Sequence, residues 1–245
     1  MNDVRVRALG CVDVVVDGGV IPIHRRQLRA VVAVMALEPG SSVLNDRLID
    51  ALWTDQPPRR PRHALHVYVN RLRSLHPAIA SSVSTVPNGY RLDCAQEQVD
   101  LAEFERLARA GRGKLDTAPG EALGLLNDAD ALWRGPAFGD LHYEEFAAGA
   151  VRRLNELRVA AKEDLCDAAL RVGSSWDPTP ALLELARLHP VRERPIALLL
   201  MALQRNGRSN EAAAECLEYH ARVTREFEAR SSPELTRLMA QLASS

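Results

Sequence analysis

"QPPRRPRHALHVYVNRLRSLHPAIASSVSTVPNGYRL", Gln56 to Leu92, holds six arginines and no Asp or Glu. Leu65, Val69 and Leu72 recur at i, i+4 and i+7, with Tyr68 and Leu75 beside them, which predicts a helix with one apolar stripe. Arg62, His63, His66, Val67, Asn70, Arg71 and Arg73 fall on its opposite side. Pro57 and Pro58 break the chain ahead of it, and Pro61 suits its first turn, where no backbone N–H is needed. Beyond Pro77, "SSVSTVPNGYRLD" reads as two short strands around Pro87-Asn88-Gly89, a hairpin.

Upstream, "VRVRALGCVDVVVDGGVIPI" (Val4–Ile23) is valine-rich and alternating, with Asp17-Gly18-Gly19 as hairpin-turn chemistry. "RRQLRAVVAVMALEPG" follows as a helix of about three turns closed by Pro39-Gly40. "NDRLIDALW" is a short second helix with Asn45 as N-cap and Leu48, Leu52 and part of Trp53 facing inward. Strands, three helices and a hairpin, in that order, are the layout of a winged helix-turn-helix.

From Val99 onward the spacing is helical throughout. "DLAEFERLARAG", "GEALGLLNDADALW", Tyr143 to Val172, "PALLELARL", "ERPIALLLMALQRNG" and "SNEAAAECLEYHARVTREFEAR" all repeat at three and four residues. Gly173 and Gly207 lie 34 apart, each after an Ala-Leu pair and before another helix. That spacing is the tetratricopeptide (TPR) period. The expected fold is mainly α: an N-terminal winged helix-turn-helix (α+β) over residues 1–95, then an all-α TPR-like domain over 99–245.

Net charge is −1, but residues 1–94 carry 12 Arg against 8 acids and the remainder 19 Lys plus Arg against 24 acids. The first half alone invites an anionic partner. No apolar run approaches the roughly 18 residues that span a bilayer. Charges punctuate the first 30 positions, against a signal peptide. Cys11, Cys94, Cys166 and Cys216 are scattered, with no CxxC pair, and read as reduced thiols of a cytoplasmic protein.

The motifs "RLIDALW", "ALHVYVNRLR" and "NGYRL", then "VDLAEFERLARAG", "ALWRGPAF", "RLNELRVAAKEDLCDAAL" and "HPVRERPIALLLMALQRNGRSNEA", run through nearly the whole chain. On them the chain resembles the SARP family (Streptomyces antibiotic regulatory proteins), a response-regulator-type winged helix followed by a bacterial transcriptional activator domain. The resemblance implies an activator that binds double-stranded promoter DNA, as a homodimer on direct repeats, and recruits RNA polymerase holoenzyme. It implies that the third helix enters the major groove with His63, His66, Val67, Asn70, Arg71 and Arg73, and that Thr85 through Arg91, Asn88 included, form the wing. With nothing after Ser245, the chain reads as a short, stand-alone member. Three departures stand out: Val86 where many relatives carry an arginine, Leu44 where a serine usually opens the second helix, and "FEARSSPEL" in place of an acidic, glycine-containing turn. The second implies capping by Asn45, the third a different docking of the last helix.

Phosphates would supply the negative charge this helix lacks, and an arginine can also take guanine O6 and N7 together. Arg71, at mid-face, is the expected base contact, with Asn70 next and Val67 suited to a thymine methyl. Arg59, Arg60 and Arg62 open the helix, where contacts go to phosphate and set register. Trp53 is expected to be half core, with its indole N–H near a phosphate. His63 and His66 could share a metal, but no nearby Cys or carboxylate completes a site, so no metal or cofactor is expected. Trp133 and Phe138 suit the anchoring of a tight turn better than a ligand cage. No nucleophile, base or phosphate loop stands out, so the chain does not read as an enzyme. Two other readings remain: a TPR-like scaffold whose basic helix docks an acidic partner, and a DNA-binding repressor.

Overall fold

The computed structural model describes residues 4–53, 56–227 and 232–242. The N-terminal valines form an antiparallel sheet of β1 (Val4–Arg7), β2 (Asp13–Val16) and β3 (Gly19–Ile21). Val4, Val6, Val14 and Val16 turn inward. Asp17 and Gly18 take φ values of 49° and 83°, the two left-handed residues a type I′ hairpin needs.

The apolar run that follows becomes α1 (Arg26–Ala36), buried at Leu28 and from Ala30 through Ala36. It is the central helix against which α2 (Asn45–Trp53) and α3 (Pro61–Arg73) pack. Leu48, Ala51 and Leu52 of α2 and Leu65, Val69 and Leu72 of α3 are the buried residues, so the stripe read from spacing is the one that faces the core. The hairpin is β5 (Val83–Val86) and β6 (Gly89–Leu92), with Asn88 at φ 59° in its turn.

Two elements go beyond the periodicity. Ser42–Leu44 is a short strand, β4, which pairs antiparallel with β6 so that Val43 stands opposite Tyr90. Pro77–Ser82 is a short helix, α4, begun by the His76 ring, whose Nδ1 accepts the Ala78 N–H. Leu44, at the position of the usual serine, is an exposed strand residue, and the helix starts at Asn45, whose own N–H donates to Asn88 O at 2.8 Å.

The chain divides into two compact units, residues 1–108 with 128–158, and residues 109–127 with 159–245. In the first, Asp100 at the start of α5 (Asp100–Lys114) accepts the N–H groups of Ala8 and Leu9 at 2.7 to 2.9 Å. The carbonyls of the same two residues accept N–H groups from Phe138 (2.7 Å) and Arg134 (2.8 Å). The "ALWRGPAF" block is thus a clasp on the segment after β1. Phe138 is fully buried at φ 64° and closes the turn, while Trp133 meets Phe104 edge-on at 5.2 Å under the Arg158 guanidinium.

The remaining helices are α6 (Pro119–Ala131), α7 (Glu145–Val172), α8 (Thr179–Leu188), α9 (Glu193–Arg205), α10 (Ser209–Phe227) and α11 (Pro233–Leu242). In the second unit, α9 packs between α8 and α10 and buries Ile196, Leu199, Leu200 and Leu203. Gly173 and Gly207 have φ of 68° and 72°. Ser174 N donates to Ala169 O and Arg208 N to Leu203 O, at 3.1 and 2.8 Å. These are two copies of one glycine-terminated helix end, and the 34-residue spacing is realised bond for bond. The "HPVRER" segment supplies Arg192 to Glu163 (2.9 Å) and Arg194 to Asp164 and Asp167, and Arg112 reaches Asp164 at 2.8 Å. Glu163 and Asp164 are buried, so this network answers their charge inside the helical unit. Within "FEARSSPEL", residues 228–231 lie outside the described residues; Ser232 Oγ accepts the Leu235 N–H and opens α11.

Candidate nucleic-acid interface

Once Leu65, Val69 and Leu72 are buried, the rest of α3 is fixed by the 3.6-residue turn. Arg62, His63, His66, Asn70 and Arg71 are exposed, and Val67 and Arg73 are half-buried. Arg59 and Arg60, just ahead of the helix, are exposed as well. The expected face is therefore assembled on one side of one helix. Arg62 makes a long 3.4 Å contact with Asp46 of α2, both side chains well exposed, a pairing that solvent leaves nearly without energetic weight. Asp46 and Asp50 line a shallow groove with Arg60, Arg62 and His63 at this end of α3. Trp53 is half-buried, its ring 5.9 Å from that of Tyr68.

Other members of the expected set are engaged within the fold. Arg73 donates from Nε and Nη2 to Val83 O (3.0 and 2.7 Å) and from Nη2 to Thr85 Oγ1 (2.9 Å), and its guanidinium lies over the Tyr90 ring. It straps the end of α3 to β5. Arg91 pairs with Asp93, which Ser84 Oγ also contacts. Burial works against the Asp93 carboxylate, but these two partners outweigh it and hold its pKa below the usual range. Asn88 is exposed at the hairpin tip and Val86 half-buried beside it.

Tyr90 is the residue that spacing did not single out. Its hydroxyl lies 3.3 Å from His66 Nδ1, and His66 Nε2 lies 3.0 Å from Asn70 Nδ2. Burial raises the tyrosine's pKa, opposed by Arg73. The signal was a tyrosine at an inward-facing strand position, because a buried tyrosine needs a partner for its hydroxyl. Among the described residues no three His, Cys, Asp or Glu side chains gather as a metal site, and no helix is long and apolar enough to cross a membrane.

The bacterial transcriptional activator domain family matches residues 99–243. The chain is 32% identical over 233 residues to the regulatory protein DnrI of Streptomyces peucetius, covering 89% of this chain and 84% of that protein. It is 32% identical over 215 residues to the transcriptional regulator RedD of Streptomyces coelicolor, covering 85% of this chain but only 61% of RedD. Among solved structures it resembles Mycobacterium tuberculosis EmbR in complex with a low-affinity phosphopeptide. The TM-score is 0.90 at 26% identity, over 100% of this chain and 66% of that one.

Proposed function

The chain belongs to the bacterial transcriptional activator domain family and is a SARP-type transcriptional regulator, and from that premise we propose that it is an activator that binds duplex promoter DNA through α3. The observation that carries this reading is the exposed side of α3: arginines and polar side chains without a carboxylate, opposite the buried Leu65, Val69 and Leu72. Phosphate is the anion such a face is built to meet, and base edges in the major groove are within an inserted helix's reach.

In this proposal residues 1–95 bind DNA and 99–245 serve activation. Arg59, Arg60 and Arg62 take phosphates and fix register, Trp53 adds its indole N–H, and Asn70, Arg71 and Val67 read bases, with His63 on the same face. Arg73 acts through the wing, because its donors already hold Val83 and Thr85. Thr85, Asn88 and Arg91 bring the hairpin to the adjacent backbone. A homodimer on direct repeats and recruitment of RNA polymerase holoenzyme complete the reading, which assigns the chain to the cytoplasm and gives it no catalytic step, metal or cofactor. The test is a gel-shift series on DNA selected by the purified chain, repeated at increasing salt. Salt-sensitive binding to a selected sequence is expected. A pull-down of an acidic protein that survives nuclease, without any DNA shift, would instead favour a scaffold.

A further inference from the structure

Asn70 is not an isolated side chain on the face of α3. It stands one helical turn from His66, i to i+4, and its Nδ2 lies 3.0 Å from His66 Nε2. The far side of the same imidazole meets the Tyr90 hydroxyl at 3.3 Å through Nδ1. Tyr90 is only 6% exposed and belongs to β6 of the hairpin. The three side chains make one polar chain from inside the winged head to its outer face.

Donor and acceptor chemistry fixes how the chain runs. An amide N–H can only donate, so His66 Nε2 carries the lone pair, Nδ1 carries the proton, and Nδ1–H donates to the tyrosine oxygen. That leaves Asn70 with its carbonyl oxygen and one N–H turned away from His66. With that N–H and its oxygen, Asn70 still offers a donor and an acceptor. Adenine presents the complementary pair in the major groove, N7 to accept and N6–H to donate. A freely rotating amide would present its two ends alike and discriminate less.

We propose that His66 and Tyr90 are positioning residues which set the orientation of the Asn70 amide, so that base preference at one position under α3 is governed partly from the hairpin. This rests on the reading that α3 lies in the major groove. Tyr90 is only 6% exposed, so it acts on Asn70 through His66.

The test uses the full chain and an operator obtained by its own selection from random duplexes, with every single-base variant of that operator measured for affinity. Asn70→Ala should abolish an adenine preference at one position. Tyr90→Phe and His66→Leu should each weaken that same preference by about 3- to 10-fold, the worth of one hydrogen bond. The positions that respond to Arg71→Ala should stay unchanged in both variants. The double variant should be no worse than His66→Leu alone, and His66→Gln, whose amide oxygen can accept from Asn70, should restore most of the preference. The proposal is overturned if Tyr90→Phe and His66→Leu keep the wild-type preference at the Asn70 position. It is equally overturned if they weaken binding to all sequences alike, or if Asn70→Ala alters no position. If the wild-type chain selects no motif, the DNA-reading assignment itself fails and this proposal falls with it.

Discussion

Arg71 lies on α3 and Arg60 just ahead of it, both exposed, and the proposed function gives them different tasks. In the proposed reading Arg71 contacts a base, so Arg71→Ala should cost about 1–3 kcal/mol of binding and relax preference at one base pair. Arg60 precedes the helix, so Arg60→Ala should weaken all sequences alike and reduce the slope of log affinity against log salt by about one. Fluorescence anisotropy on operator and scrambled duplexes over a salt series separates the two. Asp100 makes a different kind of prediction. Burial pushes its pKa up to about 6, against the opposing pull of the Leu9 and Ala8 N–H groups and Arg134. The folded chain then keeps a proton between about pH 4 and about pH 6 that the unfolded chain releases, so stability falls as pH rises through that window. Asp100→Asn has no proton to lose. Wild-type stability relative to that variant should drop by up to about 3 kcal/mol between pH of about 4 and about 7, read by urea unfolding.

At the level of elements, the hairpin depends on one close approach. A Cβ at Gly89 would lie 2.0 Å from Val43 O, so Gly89→Ala must push β4 off β6. It should cost about 2 kcal/mol or more in thermal unfolding, and it should disturb the wing that β5 and β6 form. This contact also marks the limit of what spacing reveals. The periods of two and 3.6 were enough for the valine strands, the three helices of the head and the helical run after Val99, because each buries one regular face. The strand Ser42–Leu44 was not legible: three residues carry no period, and the strand exists because β6 offers it an edge. Pro77–Ser82 reads as a break on its prolines and serines, but a histidine ring starts a short helix there. Among the residues expected to face DNA, the helix wheel was sufficient to place Arg62, His63, His66, Asn70 and Arg71 on the exposed side of α3. It was not sufficient for Arg73, whose partners Val83 and Thr85 come from a strand that the wheel knows nothing of. Tyr90 and His66 are 24 residues apart, so only the fold brings them together.

For the whole molecule, near-neutral charge conceals an arginine-rich head and an acidic helical remainder. Inside the helical unit the acids are not all solvated, since Glu163 and Asp164 are buried against Arg112, Arg192 and Arg194. Arg194→Ala should therefore destabilise the chain by about 3 kcal/mol, because it leaves buried carboxylates short of a partner. Differential scanning calorimetry reads that loss. The same variant, kept below its melting point, should select the same base sequence as wild type, because Arg194 pairs with Glu163, Asp164 and Asp167 within its own unit. On the proposed function, this SARP-type regulator reads DNA sequence through the outer face of α3. That sequence reading is tested most directly by selecting from random duplex DNA with the wild-type chain and with Arg71→Ala in parallel. Wild type should give a defined motif, and Arg71→Ala the same motif with one base pair per site no longer specified. No enriched motif for wild type, or an identical motif for both proteins, would contradict it.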